Sequence, residues 1–171
     1  VFANNDRPGI MLASAVSAFM NRYGVQPGTR AVVFTNNDSA YRTALRLVGA
    51  GIEVAAVVDA RPDPRGQLPD RARKAGIEVM ANSVVVDVRG TWRVCAADVM
   101  ALDRNGTAVT GEARTLPCDL VAMSGGWSPV VHLHAQSGGK PQYDAPRACF
   151  IPGAPVQAER SVGAANGSFM L

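Results

Sequence analysis

The stretch from Arg30 to Arg61, RAVVFTNNDSAYRTALRLVGAGIEVAAVVDAR, has the outline of a nucleotide-binding βαβ unit that lacks all three fingerprint glycines. An apolar strand over Ala31–Phe34 runs into a turn, a helix, and a second apolar strand ending on Asp59. A working dinucleotide turn reads G-x-G-x-x-G, because the glycines permit the tight turn, backbone approach to the pyrophosphate and close helix–strand packing. Here those places hold Asn36, Asp38 and Tyr41. Asp38 puts a carboxylate at the helix N-terminus, where a phosphate would sit, and is expected to cap the free N–H groups there itself. Asp59 stands about twenty residues on, the place of a ribose-binding acid. Without the glycine turn it reads as a solvated strand-end residue. The framework is kept and its ligand site filled in.

The remaining sequence excludes several classes of function. A chain of 171 residues, 47% hydrophobic and 18% charged, has the composition of a globular protein with one good core. The net charge of +3 is mild, and its 17 Lys and Arg residues are scattered, with few aromatics interleaved, so a nucleic-acid surface is not expected. No apolar run approaches a membrane span. The cysteines, Cys95, Cys118 and Cys149, lack metal spacing and read as three buried or half-buried thiols in a reducing cytoplasm. His132 and His134 tempt a metal reading, but at i, i+2 they share a face only on a strand and no carboxylate cluster accompanies them; a structural or interface role is expected. No catalytic dyad or hydrolase motif occurs. The absence of an initiating Met and the abrupt ends at Val1 and Leu171 read as an excised piece of something larger.

The pattern predicts an α/β fold, a Rossmann-like parallel βαβ core followed by an antiparallel β-meander. Asn4–Gly9 is rich in turn residues. Leu12, Val16, Phe19, Met20 and Tyr23 fall at helical spacing, closed by Gly24. In the helix of the βαβ unit, Tyr41, Ala44, Leu45 and Val48 form the expected inward stripe, ended by Gly49 or Gly51. A loop over Arg61–Pro69, a short helix over Asp70–Lys74 and a strand over Ile77–Met80 follow. From Ser83 the period becomes two, and strands are expected over Trp92–Leu102 and Ala108–Leu116, turned by Asn105-Gly106. Cys118–Met123 is a buried strand, Val130–Ala135 one or two helical turns, and Ser161–Gly167 a short strand running into a glycine turn.

Four strings, NNDRPGIMLASAV, VVFTNNDSAYRTAL, DLVAMSGGWSPVVHLHAQSGGKP and VGAANGSF, occur in an order that resembles the alpha subunit of heterotetrameric sarcosine oxidase. The wider class is the glutathione-reductase-like flavoproteins, in which an NAD-type domain is inserted into a split FAD-type domain. The resemblance implies that residues 1–29 are a connector of the split domain, 30–116 the inserted degenerate domain, and 117–171 the truncated returning half of a second FAD/NAD-type α/β domain. If sheet neighbours of that half are missing, an apolar edge is expected around Asp119–Met123. Ser124, Gly125, Gly126 and Trp127 match a turn that follows a strand in that class, and Gly163, Ala164, Asn166 and Gly167 match its terminal flavoprotein turn. The usual acid of the second turn is absent, so contact with a flavin ribityl chain is not implied.

The same resemblance implies a parent oxidoreductase acting on CH–NH groups, with NAD held by the alpha subunit, FAD and FMN in the complex, beta, gamma and delta subunits as partners, and tetrahydrofolate at a further domain. This part alone would be inactive, supplying scaffold and part of an NAD site. Two rivals stand beside that reading. One is a subunit of a related amine or imino-acid dehydrogenase, which would keep glycine turns and iron–sulfur cysteines. The other is a non-catalytic module that holds a partner subunit.

Overall fold

The computed structural model describes residues 2–147 and 149–169. The described residues form two compact units, Val1–Gly125 and Gly126–Leu171. The first contains a parallel sheet of strands β1 (Ile10–Leu12), β2 (Arg30–Thr35), β3 (Glu53–Asp59), β4 (Val79–Met80) and β8 (Leu120–Ser124), in the order β1-β8-β2-β3-β4. Helices α1 (Ala13–Tyr23), α2 (Ser39–Gly49) and α3 (Gln67–Lys74) connect them. Strands β5 (Ser83–Arg89), β6 (Ala96–Leu102) and β7 (Val109–Pro117) form a separate antiparallel meander in the order β5-β6-β7. The expected fold class is therefore observed.

Both faces of the parallel sheet are buried, which explains why its strands read as continuous apolar runs rather than alternating ones. Alternate residues nonetheless serve different layers. Ala31 and Val33 of β2, with Leu120 and Ala122 of β8, pack against Val16 of α1 and Tyr41, Ala44 and Leu47 of α2. Val32, Val58 and Val121 point the other way, into Val85, Val88, Val99 and Leu116 of the meander. The result is three layers, helices on parallel sheet on antiparallel sheet. Ser17 and Thr43 join α1 to α2 through hydroxyls 3.0 Å apart in the buried seam.

Several elements differ from expectation. The helix stripe is Ala40, Tyr41, Thr43, Ala44 and Leu47, whereas Val48 is 39% exposed. Strand β1 includes Leu12, read as the first position of the helix stripe, and pairs in parallel with β8. Helix α3 begins at Gln67, inside the expected loop, and β6 begins at Ala96, leaving Trp92 exposed. The Asn105-Gly106 signal lies in a longer connection, where the Asp103 carboxylate accepts the N–H groups of Thr107 and Ala108. Cys95 is exposed, not buried. Asp119–Met123 is no edge, because β8 lies between β1 and β2. That strand lies in the first compact unit, which runs to Gly125. Asn4 and Arg7 bond Asp87 and the Val88 carbonyl, so the polar N-terminal turn is docked onto β5.

In the second unit, α4 (His132–Gln136) is followed by a hairpin of β9 (Gln142–Asp144) and β10 (Cys149–Ile151), which glycines and prolines on either side had hidden. Tyr143 and Phe150 meet edge to face at 5.4 Å between ring centres across the hairpin. Residues 161–162 form no strand; the chain there enters a single 3-10 turn, Gly163–Asn166.

One carboxylate fixes how β8 enters the sheet beside β2. Asp119 accepts the Thr29 and Arg30 N–H groups at 2.9 and 2.8 Å and the Thr29 hydroxyl at 2.7 Å. Its approach requires Gly28, since a Cβ there would lie 2.7 Å from the Asp119 Oδ1 and 2.9 Å from the Leu120 Cβ. Burial works to raise the Asp119 pKa, but the bonds from Arg30 and Thr29 outweigh it and hold the group below the ordinary aspartate range. A depressed carboxylate pKa contributes stability above the unfolded value and loses it as pH falls through the folded one. Asp119→Asn is thus expected to lower stability at pH 7 by about 1–2 kcal/mol. In urea unfolding across pH, its gap to wild type should narrow only below the ordinary aspartate value of 3.8; a gap independent of pH would contradict this role.

Candidate functional site

In an open parallel sheet, ligands bind beyond the carboxyl ends of the strands where the strand order reverses. Here the chain runs from β2 outward through β3 to β4, then returns to place β8 on the other side of β2. The reversal point is the gap between the ends of β2 and β8. A cleft of about 270 Å³ lies there, lined by Phe34, Thr35, Asn36, Ala60, Met123, Ser124 and Gly125. It is smaller than the roughly 300–1,000 Å³ of ordinary small-ligand sites, and a dinucleotide would not be buried in it.

Polar side chains of the turn lace the two strand ends together. Asn37 Nδ2 donates to the Ser124 carbonyl and hydroxyl at 3.1 and 3.0 Å. The Asn36 N–H and Nδ2 reach the Ser124 and Gly125 carbonyls at 3.4 and 3.3 Å. The Thr35 hydroxyl accepts the Asn37 N–H at 3.0 Å and donates to its carbonyl at 2.9 Å. The start of α2 is capped by Asn37, whose Oδ1 accepts the Ser39 N–H at 3.1 Å and the Ser39 hydroxyl. Asp38 makes no side-chain cap bond. It faces Arg61 instead, in an ion pair of 2.8 Å, so the expected self-capping is transferred by one residue.

Asp59 corrects a second expectation. It is fully buried, not solvated. Its Oδ2 accepts the Tyr41 hydroxyl at 2.8 Å and Arg61 Nη2 at 2.7 Å, while Oδ1 accepts the Arg61 N–H and Nε at 3.0 and 3.1 Å. Burying a carboxylate is costly unless it is paired and hydrogen-bonded, and four donors meet that condition. Burial, followed by the bond to Asp59 and the charge of Asp59, raises the Tyr41 pKa and keeps the phenol protonated. The Asp59 hydrogen bond, joined by Asp38 and opposed by burial, raises that of Arg61. Tyr41 stands where the third fingerprint glycine would be and Asp59 where the ribose acid would be. The two residues that replace a dinucleotide site are thus bonded to each other.

The remaining sequence-derived site residues fall into separate units. Ser124 and Gly125 belong to the first. A Cβ on Gly125 would meet no atom within 4 Å, so that position is open. Gly126 and Trp127 begin the second unit, both exposed. Gly163, Ala164 and Asn166 form its exposed 3-10 turn, with Gly163 at φ 61° and Gly167 at φ 76°. The Gly167 and Ser168 N–H groups bond back to the Ala164 and Gly163 carbonyls. In the same unit His134 is buried and its Nδ1 lies 2.7 Å from Glu159 Oε1, a carboxylate partner that the sequence did not disclose, while His132 is exposed. Among the described residues no group of three or more His, Cys, Asp or Glu could hold a metal ion, and no helix is long and apolar enough to cross a membrane.

Sequence reading missed Asn37 as the cap and Arg61 as the clamp. The signals are short: an Asn two residues before a helix-starting Ser, and an Arg two residues after a strand-end Asp. Tyr41→Phe is expected to cost about 1–3 kcal/mol, since the buried carboxylate loses one donor. Combined with Asp59→Asn, the effects in urea unfolding should be non-additive by more than about 0.5 kcal/mol; simple additivity would show that the two do not act together.

No family model matches the chain. Curated relatives do. It is 41% identical over 169 residues to the sarcosine oxidase alpha subunit of Corynebacterium sp. (strain P-1), covering 99% of this chain and 17% of that protein. It is 39% identical over 166 residues to the alpha subunit from Rhizobium meliloti (strain 1021), covering 96% and 16%. The chain therefore spans about one sixth of the length of these relatives. Among solved structures, T. acidophilum thioredoxin reductase superposes with a TM-score of 0.62 at 16% identity, over 98% of this chain and 56% of that one. L-proline dehydrogenase from P. horikoshii gives 0.53 at 19% identity, over 91% and 24%. These likenesses establish the fold, and the sequence identities go further: along nearly its whole length the chain is a relative of one segment of the sarcosine oxidase alpha subunit.

Proposed function

We propose that this chain serves as a scaffold segment of the alpha subunit of a sarcosine-oxidase-like flavoenzyme. The parent would oxidise the CH–NH group of sarcosine and pass electrons to oxygen, using FAD and FMN, with beta, gamma and delta subunits and a tetrahydrofolate-binding domain as partners, in the cytoplasm. The observation that carries this reading is the 39–41% identity to three such subunits over 96–99% of the chain. The whole-protein activity is inferred from those relatives.

Within the parent, residues 30–116 supply an inserted domain of dinucleotide type whose fingerprint turn holds no NAD. Two observations support that part of the reading: Tyr41 occupies the place of the close-packing glycine, and Asp59 has all its acceptor positions engaged. The Ser124-Gly125-Gly126-Trp127 turn and, separately, the Gly163–Gly167 turn are the proposed contacts for the NAD of the parent subunit. Residues 117–171 then act as the returning part of the larger domain.

The site test uses Gly125→Trp in the full-length subunit, at a position where an added Cβ meets no atom within 4 Å. NAD released by denaturing the purified protein should fall by more than half, with the melting temperature unchanged; full NAD content would remove this turn from the site. The activity test is oxygen uptake by the assembled subunits. Consumption on sarcosine is expected, and turnover on proline or an opine in its place would move the chain to the related dehydrogenases.

A further inference from the structure

Two of the three cysteines, 23 residues apart in sequence, meet at one end of the antiparallel meander. The pairing of β6 with β7 runs through Ala97↔Leu116 and Ala96↔Pro117, and Cys95 and Cys118 flank the end of that ladder. The Cys118 N–H donates to the Cys95 carbonyl at 3.1 Å, so the two backbones remain in contact there. Both residues line the same open depression, with Arg30, Arg93, Val94 and Pro117 around them. A disulfide spans roughly 4.4–6.8 Å between Cα atoms, a separation that two residues joined by a direct backbone hydrogen bond can adopt. Cys149 lies in the other unit, on β10.

Their environments differ in a useful way. Cys95 is exposed, whereas Cys118 is 4% exposed. Burial, then the neighbouring charges of Asp119 and Cys95, push the Cys118 thiol up to about 12, so it is inert toward reagents in solution. A dithiol of this kind has one sulfur that meets an oxidant and one that can only be reached from its partner.

We propose that Cys95 and Cys118 form an oxidant-responsive dithiol site, in which a hydroperoxide converts the exposed thiol to a sulfenic acid and the buried thiol closes it to a disulfide. In the first step the Cys95 sulfur attacks one peroxide oxygen, the O–O bond breaks, and water leaves when the peroxide is hydrogen peroxide. In the second the Cys118 sulfur attacks the sulfenic sulfur, an S–S bond forms, and the hydroxyl departs with the Cys118 proton as a second water. Two thiols are oxidised and one peroxide is reduced. The bond would tie the start of β6 to the segment leading into β8, the strand between β1 and β2 in the parallel sheet.

The test needs no variant to begin. The native full-length protein is treated with hydrogen peroxide, alkylated, digested with trypsin and weighed. Cleavage after Arg93, Arg104, Arg114 and Arg147 separates Cys95, Cys118 and Cys149 onto different peptides. The expected product is the peptide of Cys95 joined to that of Cys118, lighter than their sum by two hydrogens and released by a thiol reductant. Cys118→Ser should divert Cys95 to sulfinic acid under the same treatment. Recovery of Cys95 as sulfinic acid in the wild type, or of Cys95 and Cys118 both alkylated after oxidation, would overturn the proposal.

Discussion

The carboxylate of Asp59 is the least forgiving group in the molecule. It sits at the end of β3 with no exposure to solvent, and its charge is tolerable only because donors surround it. Tyr41 comes from the first turn of α2, and Arg61 from the loop after β3, which then turns back toward Asp38. One buried charge thus fixes the seating of the helix on the sheet, the path of the loop and the orientation of the turn between β2 and α2. Removing a partner from a buried ion pair typically costs about 3–5 kcal/mol, a large fraction of a domain's stability.

That arrangement also fills the places at which a dinucleotide turn carries glycine. A dinucleotide site needs an open turn with free N–H groups, a glycine against the strand and an acid free to accept from a ribose. Each requirement is met in this chain by protein atoms rather than ligand: Asn37 caps the helix, Tyr41 fills the packing position, and Asp59 is already bonded. The three layers around the turn rest on side-chain packing. Valine and alanine on both faces of β2, β3 and β8 hold them together.

Much of the architecture could be read from the sequence because the signals were local and repeated. The run Ala31–Phe34, the helical spacing that follows it, and the alternation from Ser83 each declare their element without outside help. What escaped depends on partners distant in the chain. Ile10–Leu12 becomes a strand only through β8, more than a hundred residues away, and in sequence it merges with the apolar run of α1. Asp59 looks like a strand end from its neighbours, and only the phenol of Tyr41 and the return of Arg61 bury it. The hairpin of β9 and β10 lies between prolines and glycines that conceal so short a pairing. The site residues were legible as unusual turns, while their bonding required the strand order that brings the ends of β2 and β8 together.

Hydrogen–deuterium exchange on the full-length subunit, stripped of nucleotide and then saturated with NAD, most directly tests whether the fingerprint turn is closed. Unchanged exchange is predicted for the first turn of α2, residues 39–42, with protection confined to other parts of the protein. Protection of the amides of residues 39–42 by NAD would contradict this, since the ligand would then occupy the helix start that Asn37, Tyr41 and Asp59 are held to fill.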